Sequence, residues 1–133
     1  MVSLKVVIGL KDGTCVQKEL AEEYSKELLG KSIGDEVSGD AIGFAGYSFH
    51  VTGGSDYCGF PMRKDIPGAT RKRILAVSGI GIHKKAKGIR QRKTVCGAMI
   101  HPKTAQVNMK ITKEGKEPLK AAPKEEKAEA AAQ

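Results

Sequence analysis

Between Lys84 and Lys93 the chain carries Lys84, Lys85, Lys87, Arg90, Arg92 and Lys93 with no acid among them. A run of charge is ordinarily a solvated face, and such faces intersperse the two signs. Here the cations repel one another with nothing adjacent to offset them. A phosphate backbone would relieve that repulsion by taking up the positive charge. Gly88 gives the segment freedom to bend along such a backbone. Arg71, Lys72 and Arg73 extend the same field, and Arg63 and Lys64 join it from upstream. From Tyr57 to Lys113 there are fourteen Lys and Arg against one acid, Asp65. The whole chain has a formal net charge of only +8, so the residues outside that stretch are net acidic. The chemistry this implies is neutralisation of a polyanion, and nucleic acid is the commonest one.

Other chemistries find less support. Cys15, Cys58 and Cys96 are odd in number and form no CxxC pair, and His50, His83 and His101 stand alone. That spacing argues against a metal site and against a secreted disulfide framework, and it suits a reducing, cytoplasmic setting. Cys15 and Cys96 read most simply as small core residues. Adjacent glycines in Gly53-Gly54-Ser55-Asp56 would let backbone amides converge on a phosphate. No GK[ST] follows, so this is no Walker motif. The favoured reading is a strand-ending turn in which Asp56 caps backbone amides. In Gly59-Phe60-Pro61-Met62, Phe60 is placed in the core rather than against a base. Asp56 and Cys58 are the only plausible reactive groups for an enzyme, and Cys58 shows neither a base nor an orienting partner. No cofactor and no small-molecule substrate is indicated.

The elements that position these residues follow from periodicity. Tyr47, Phe49 and Val51 alternate with Ser48, His50 and Thr52, the two-residue period of a half-buried strand. Residues 2–10 form a β-branched strand, and Asp12-Gly13 turns it back into a strand over 14–18. From Glu19 to Leu29 the period changes: Leu20, Tyr24 and Leu28 recur every four residues, and Glu19, Glu22, Glu23 and Glu27 cover the other face. Gly30 stops this helix, and its acidic face should point away from nucleic acid. Strands are predicted at 71–78, 94–100 and 104–112, with 79–92 as an exposed loop. The length of 133 residues suggests one domain. These features predict a mainly β fold, a small antiparallel β-barrel with one short amphipathic helix, over residues 1–113. Residues 114–133 are Lys, Glu, Ala and Pro in the main and read as a disordered tail. No apolar run approaches the ~18 residues of a membrane span. The first residues lack the pattern of a signal peptide.

Residues 46–111 resemble the small-subunit ribosomal protein S-six family of the archaeal and eukaryotic type. The resemblance rests on Gly53-Gly54-Ser55-Asp56, Gly59-Phe60-Pro61-Met62, Arg71-Lys72-Arg73-Ile74-Leu75, Arg90 to Gly97 and Ala105-Gln106-Val107-Asn108. Ile33-Gly34-Asp35-Glu36-Val37 is similar too. The resemblance implies a β-barrel docked on small-subunit rRNA among neighbouring ribosomal proteins, with a structural role and no catalysis. A free-standing RNA-binding factor in translation or RNA processing is the alternative.

Overall fold

The computed structural model describes residues 3–117 and Leu119. The N-terminal hairpin forms where the Asp12-Gly13 signal places it. Strand β1 (Leu4–Gly9) pairs antiparallel with β2 (Cys15–Leu20), with Leu4 opposite Leu20 and Gly9 opposite Cys15. Gly13 takes φ 86°, the left-handed conformation that glycine adopts without strain. Leu4, Val6 and Ile8 point into the core, and Lys5 faces out beside Glu19 at 3.4 Å. Cys15 is exposed near the outer edge of the hairpin, not in the core as its type suggested; Cys96 is buried.

Helix α1 (Glu22–Leu28) is shorter than the 19–29 span predicted from periodicity. Glu19 and Leu20 stay in the ladder opposite Lys5 and Leu4, and the chain leaves the helix at Leu29. Leu28 is fully buried, whereas Tyr24 lies on the surface against Gly43. Glu22, Glu23 and Glu27 are exposed, as is Glu19 on β2.

Strand β3 (Glu36–Ser38) and a 3-10 turn (Gly39–Ile42) lead to β4 (Ser48–Asp56). The strand continues through Gly53-Gly54-Ser55-Asp56 instead of ending before it. These residues pair with β7 (Thr104–Lys113), with a register shift between Val51 and Gly53. A Cβ on Gly54 would lie 2.3 Å from the carbonyl oxygen of Gln106, so the close approach of β4 to β7 admits only glycine there. The turn comes one step later: the Gly59 amide donates to the Asp56 carbonyl at 3.0 Å.

The strands lie in the order β2-β1-β7-β4-β3, in one open sheet. This corrects the predicted closed antiparallel barrel in two ways. First, β1 and β7 run parallel. Second, β2 and β3 are the two edges, and among the described residues no ladder joins them. β3 is only three residues long, which limits any pairing it can offer. The mainly β reading stands.

The core lies against the sheet and gathers Val6, Ile8, Leu28, Ile42, Phe49, Val51, Val107 and Met109. Phe49 is its aromatic centre, edge-on to Phe44 at 5.7 Å and stacked on Tyr47 at 5.9 Å. Burying a side chain of this size contributes about 1.5–3 kcal/mol.

A separate two-stranded ribbon pairs β5 (Lys72–Ala76) with β6 (Gln91–Val95), antiparallel. The strand predicted over 94–100 therefore starts earlier and ends at Val95. Beyond Val95 the chain leaves the ribbon: Ala98 donates to Ile66, and Ile100 to Lys31. At the C-terminal end, Glu114 reaches Lys11 at 3.4 Å, the Tyr47 hydroxyl donates to the Glu117 carbonyl, and Leu119 packs on the core. The remainder of the segment read as a tail lies outside the described residues.

Candidate nucleic-acid interface

The β5–β6 ribbon sorts its cations by strand parity. Opposite residues of an antiparallel pair share a face. Ile74 is opposite Lys93 and Ala76 opposite Gln91, so Lys72 and Lys93 share one face with Ile74, Ala76, Gln91 and Val95. Arg73 is opposite Thr94 and Leu75 opposite Arg92, so Arg73 and Arg92 share the other face. Lys72, Arg73, Arg92 and Lys93 are all exposed. Leu75 stands 50% exposed between them, which shows how little protein covers that side.

The connection between β5 and β6 carries Lys84, Lys85, Lys87 and Arg90, every one exposed. Its first part is pinned. Arg63 donates from Nη1 to the Ile80 carbonyl at 3.0 Å and from Nη2 to Asp65 at 2.6 Å. Gly79 lies under the same guanidinium, and Gly81 lies against the ring of Pro61. Gln91 Nε2 reaches the His83 carbonyl at 2.8 Å. The basic residues 84–90 thus project from a loop whose base is fixed at 79–83.

Arg63 and Arg71 are bound within the protein, unlike the other cations of the field. The Arg63 side chain is only 11% exposed, and its hydrogen bond holds the Asp65 carboxyl below the usual carboxylate range. Arg71 Nε donates to Asp56 Oδ2 at 2.6 Å. Its guanidinium lies 4.9 Å from the ring centres of both Tyr57 and Phe60. Phe60 is accordingly half-buried beneath Arg71, outside the core where it was expected. Met62 is the member of that motif that enters the core.

Asp56 organises this corner. Its side chain is 0% exposed. Oδ1 accepts from the amides of Cys58 at 2.9 Å and Phe60 at 3.0 Å, while Oδ2 accepts from Arg71. Burial alone would raise the pKa of this carboxyl. The Arg71 hydrogen bond and the two amides outweigh that effect, so the group is held ionised, below its usual value. The ion pair in turn drives the Arg71 pKa up, fixing its charge. With both oxygens occupied, Asp56 is not free to serve Cys58 as a base. Burial, with the Asp56 charge behind it, raises the Cys96 thiol, whose Sγ lies 3.6 Å from His101 Nε2. Among the described residues no three His, Cys, Asp or Glu side chains gather as metal ligands.

The Asp56–Arg71 pair spans fifteen residues and was not foreseen. Charge pattern showed both residues but not their contact. Lys64 is exposed, on the segment that joins Arg63 to the ribbon.

The family model described as ribosomal protein S6e matches residues 4–123. A small ribosomal subunit protein eS6 from Methanocella arvoryzae is 40% identical over 134 residues, covering 99% of this chain and 94% of the relative. The protein of that name from Methanothermobacter thermautotrophicus is 43% identical over 117 residues, 88% of this chain and 92% of the relative. That from Archaeoglobus fulgidus is 41% identical, covering 86% and 89%. With one family model spanning the sheet, the ribbon and the basic loop alike, and full-length relatives near 40% identity, the chain belongs to the ribosomal protein S6e family.

Proposed function

We propose that the β5–β6 ribbon and the 84–90 loop are the surface by which this protein holds rRNA. As a member of the ribosomal protein S6e family, the chain is a structural constituent of the small ribosomal subunit. The family is a structural one, not an enzyme class, and its place is the cytoplasmic ribosome. The observation that carries the interface is the exposure, without an adjacent acid, of Lys72, Arg73, Lys84, Lys85, Lys87, Arg90, Arg92 and Lys93. Arg63 and Arg71 hold that surface in shape, and Lys64 sits at its margin. The acidic residues Glu22, Glu23 and Glu27 of α1 suit a basic protein neighbour, because phosphates would repel them.

The test is binding to transcribed small-subunit rRNA at several salt concentrations. Each phosphate contact adds roughly 0.7–0.9 to the log–log slope. Replacing Arg90, Arg92 and Lys93 together with Gln should flatten the slope by about two to three units, with the melting temperature unchanged. A wild-type slope in the triple variant would overturn the assignment of this surface.

A further inference from the structure

Beside the ribbon lies a cleft of about 510 Å³, lined by Tyr57, Ala69, Thr70, Arg71, His101, Pro102 and Lys103. Its volume falls in the ~300–1,000 Å³ range of ligand clefts. Building on the rRNA reading above, we infer that this cleft takes an unstacked nucleotide of the rRNA, its base against Tyr57 and Pro102 and its phosphate toward Lys103 and Arg71.

Four observations support this. Tyr57 is 50% exposed, the most exposed aromatic among the described residues; Tyr24 is 41% exposed, Phe60 half-buried, and Phe44, Tyr47 and Phe49 are buried. Arg71 takes one face of that ring, and the opposite face, if a base covers it, is a sequence-tolerant platform for single-stranded RNA. The platform is also preformed. Arg71 lies over the Tyr57 ring and is locked by Asp56, and the Tyr57 amide donates to the Lys103 carbonyl at 3.0 Å. The two rims of the cleft are therefore tied together before any ligand arrives, which lowers the ordering cost of binding.

The charge is one-sided as well. Arg71 and Lys103 line the cleft and no acid does, among the described residues. The nearest carboxylate, Asp56, is sealed from solvent and paired. His101 Nδ1 accepts from the Lys103 amide at 3.0 Å, and Nε2 lies 3.6 Å from Cys96 Sγ, so the ring is held from both sides. Finally, the cleft is continuous with the basic surface. Arg71 is followed directly by Lys72, the first residue of β5, about 3.3 Å further along an extended chain. A strand of RNA on the ribbon passes the mouth of the cleft, and one nucleotide turned out of the stack enters it. A protein side chain would fit the apolar walls, but an apolar one would leave the Lys103 charge unanswered.

The experiment uses the full chain with transcribed small-subunit rRNA, irradiated at short ultraviolet wavelength, with crosslinked peptides mapped by mass spectrometry. The expected result is a nucleotide attached at Tyr57. Tyr57→Leu should weaken binding about tenfold, the loss of one stacked base, without altering the salt slope. Tyr57→Phe should bind as wild type. Lys103→Gln should lower the slope by about one. Lys103 is exposed, so that variant and the crosslink decide the matter even if Tyr57→Leu melts early. If the wild type binds with a steep slope while Tyr57→Leu and Lys103→Gln match it, the cleft is not an RNA site and the ribbon reading stands. If the wild type shows no salt-dependent binding, both fall. A photo-crosslinker at position 57 that attaches only to protein in assembled subunits would overturn the inference in favour of a protein neighbour.

Discussion

Asp56 is the residue on which the corner beside the ribbon depends. It caps two amides of the following turn and anchors Arg71, which in turn covers Tyr57 and Phe60. Asp56→Ala removes all three hydrogen bonds at a buried position and should cost about 3 kcal/mol, read from chemical denaturation. The pH dependence has a definite sign. Its pKa in the fold lies below the ordinary value of 3.8. Its contribution is therefore complete above about pH 4 and is lost as the pH falls through the folded value. Melting temperature measured from pH 7 to pH 2 should drop more steeply below pH 4 in the wild type than in Asp56→Asn. Parallel acid limbs would show that the carboxylate contributes nothing as an ion. The capping role of Asp56 was legible from its place before Gly59 in a turn sequence. Its pairing with Arg71 was not, because contact between residues fifteen apart leaves no trace in local pattern.

Among the elements, β4 and β7 were the most legible. In a strand each residue faces the same side as its second neighbour, so Phe49 and Val51, or Val107, Met109 and Ile111, declare their buried face without reference to the rest of the fold. The glycine pair was misread as a turn because two adjacent glycines signal equally a bend or a crowded ladder. The distinction is testable. Gly54→Ala pushes a methyl into the Gln106 carbonyl and should destabilise by about 1–3 kcal/mol or more. A Cβ on Gly53 meets nothing within 4 Å, so Gly53→Ala should stay within about 0.5 kcal/mol of wild type. Equal melting temperatures for the two variants would contradict the register. The basic loop was readable as charge. Its pinning by Arg63 and Gln91 depends on carbonyls at Ile80 and His83, which side-chain types do not reveal.

For the whole molecule, barrel closure was the expectation that failed. Strand count can be read from turns and alternation, but which edges meet is decided by non-local pairing. The parallel contact of β1 with β7 joins the first and last strands of the described residues and puts β7 inside the sheet. The residues after β7 also take part. Truncation after Lys113 removes the Glu114 ion pair, the Tyr47–Glu117 hydrogen bond and Leu119. It should lower the melting temperature by about 5 °C relative to truncation after Lys120, which keeps every one of those contacts. No difference between the two would show that this segment adds nothing to stability. The central place of β7 also bears on synthesis. Until the last strand emerges, the β1–β2 hairpin and the β3–β4 pair have no common partner, and each presents an unsatisfied inner edge. Contacts of such high sequence separation form slowly. The newly made protein therefore passes through an aggregation-prone interval, in which a chaperone or early capture by rRNA would protect it.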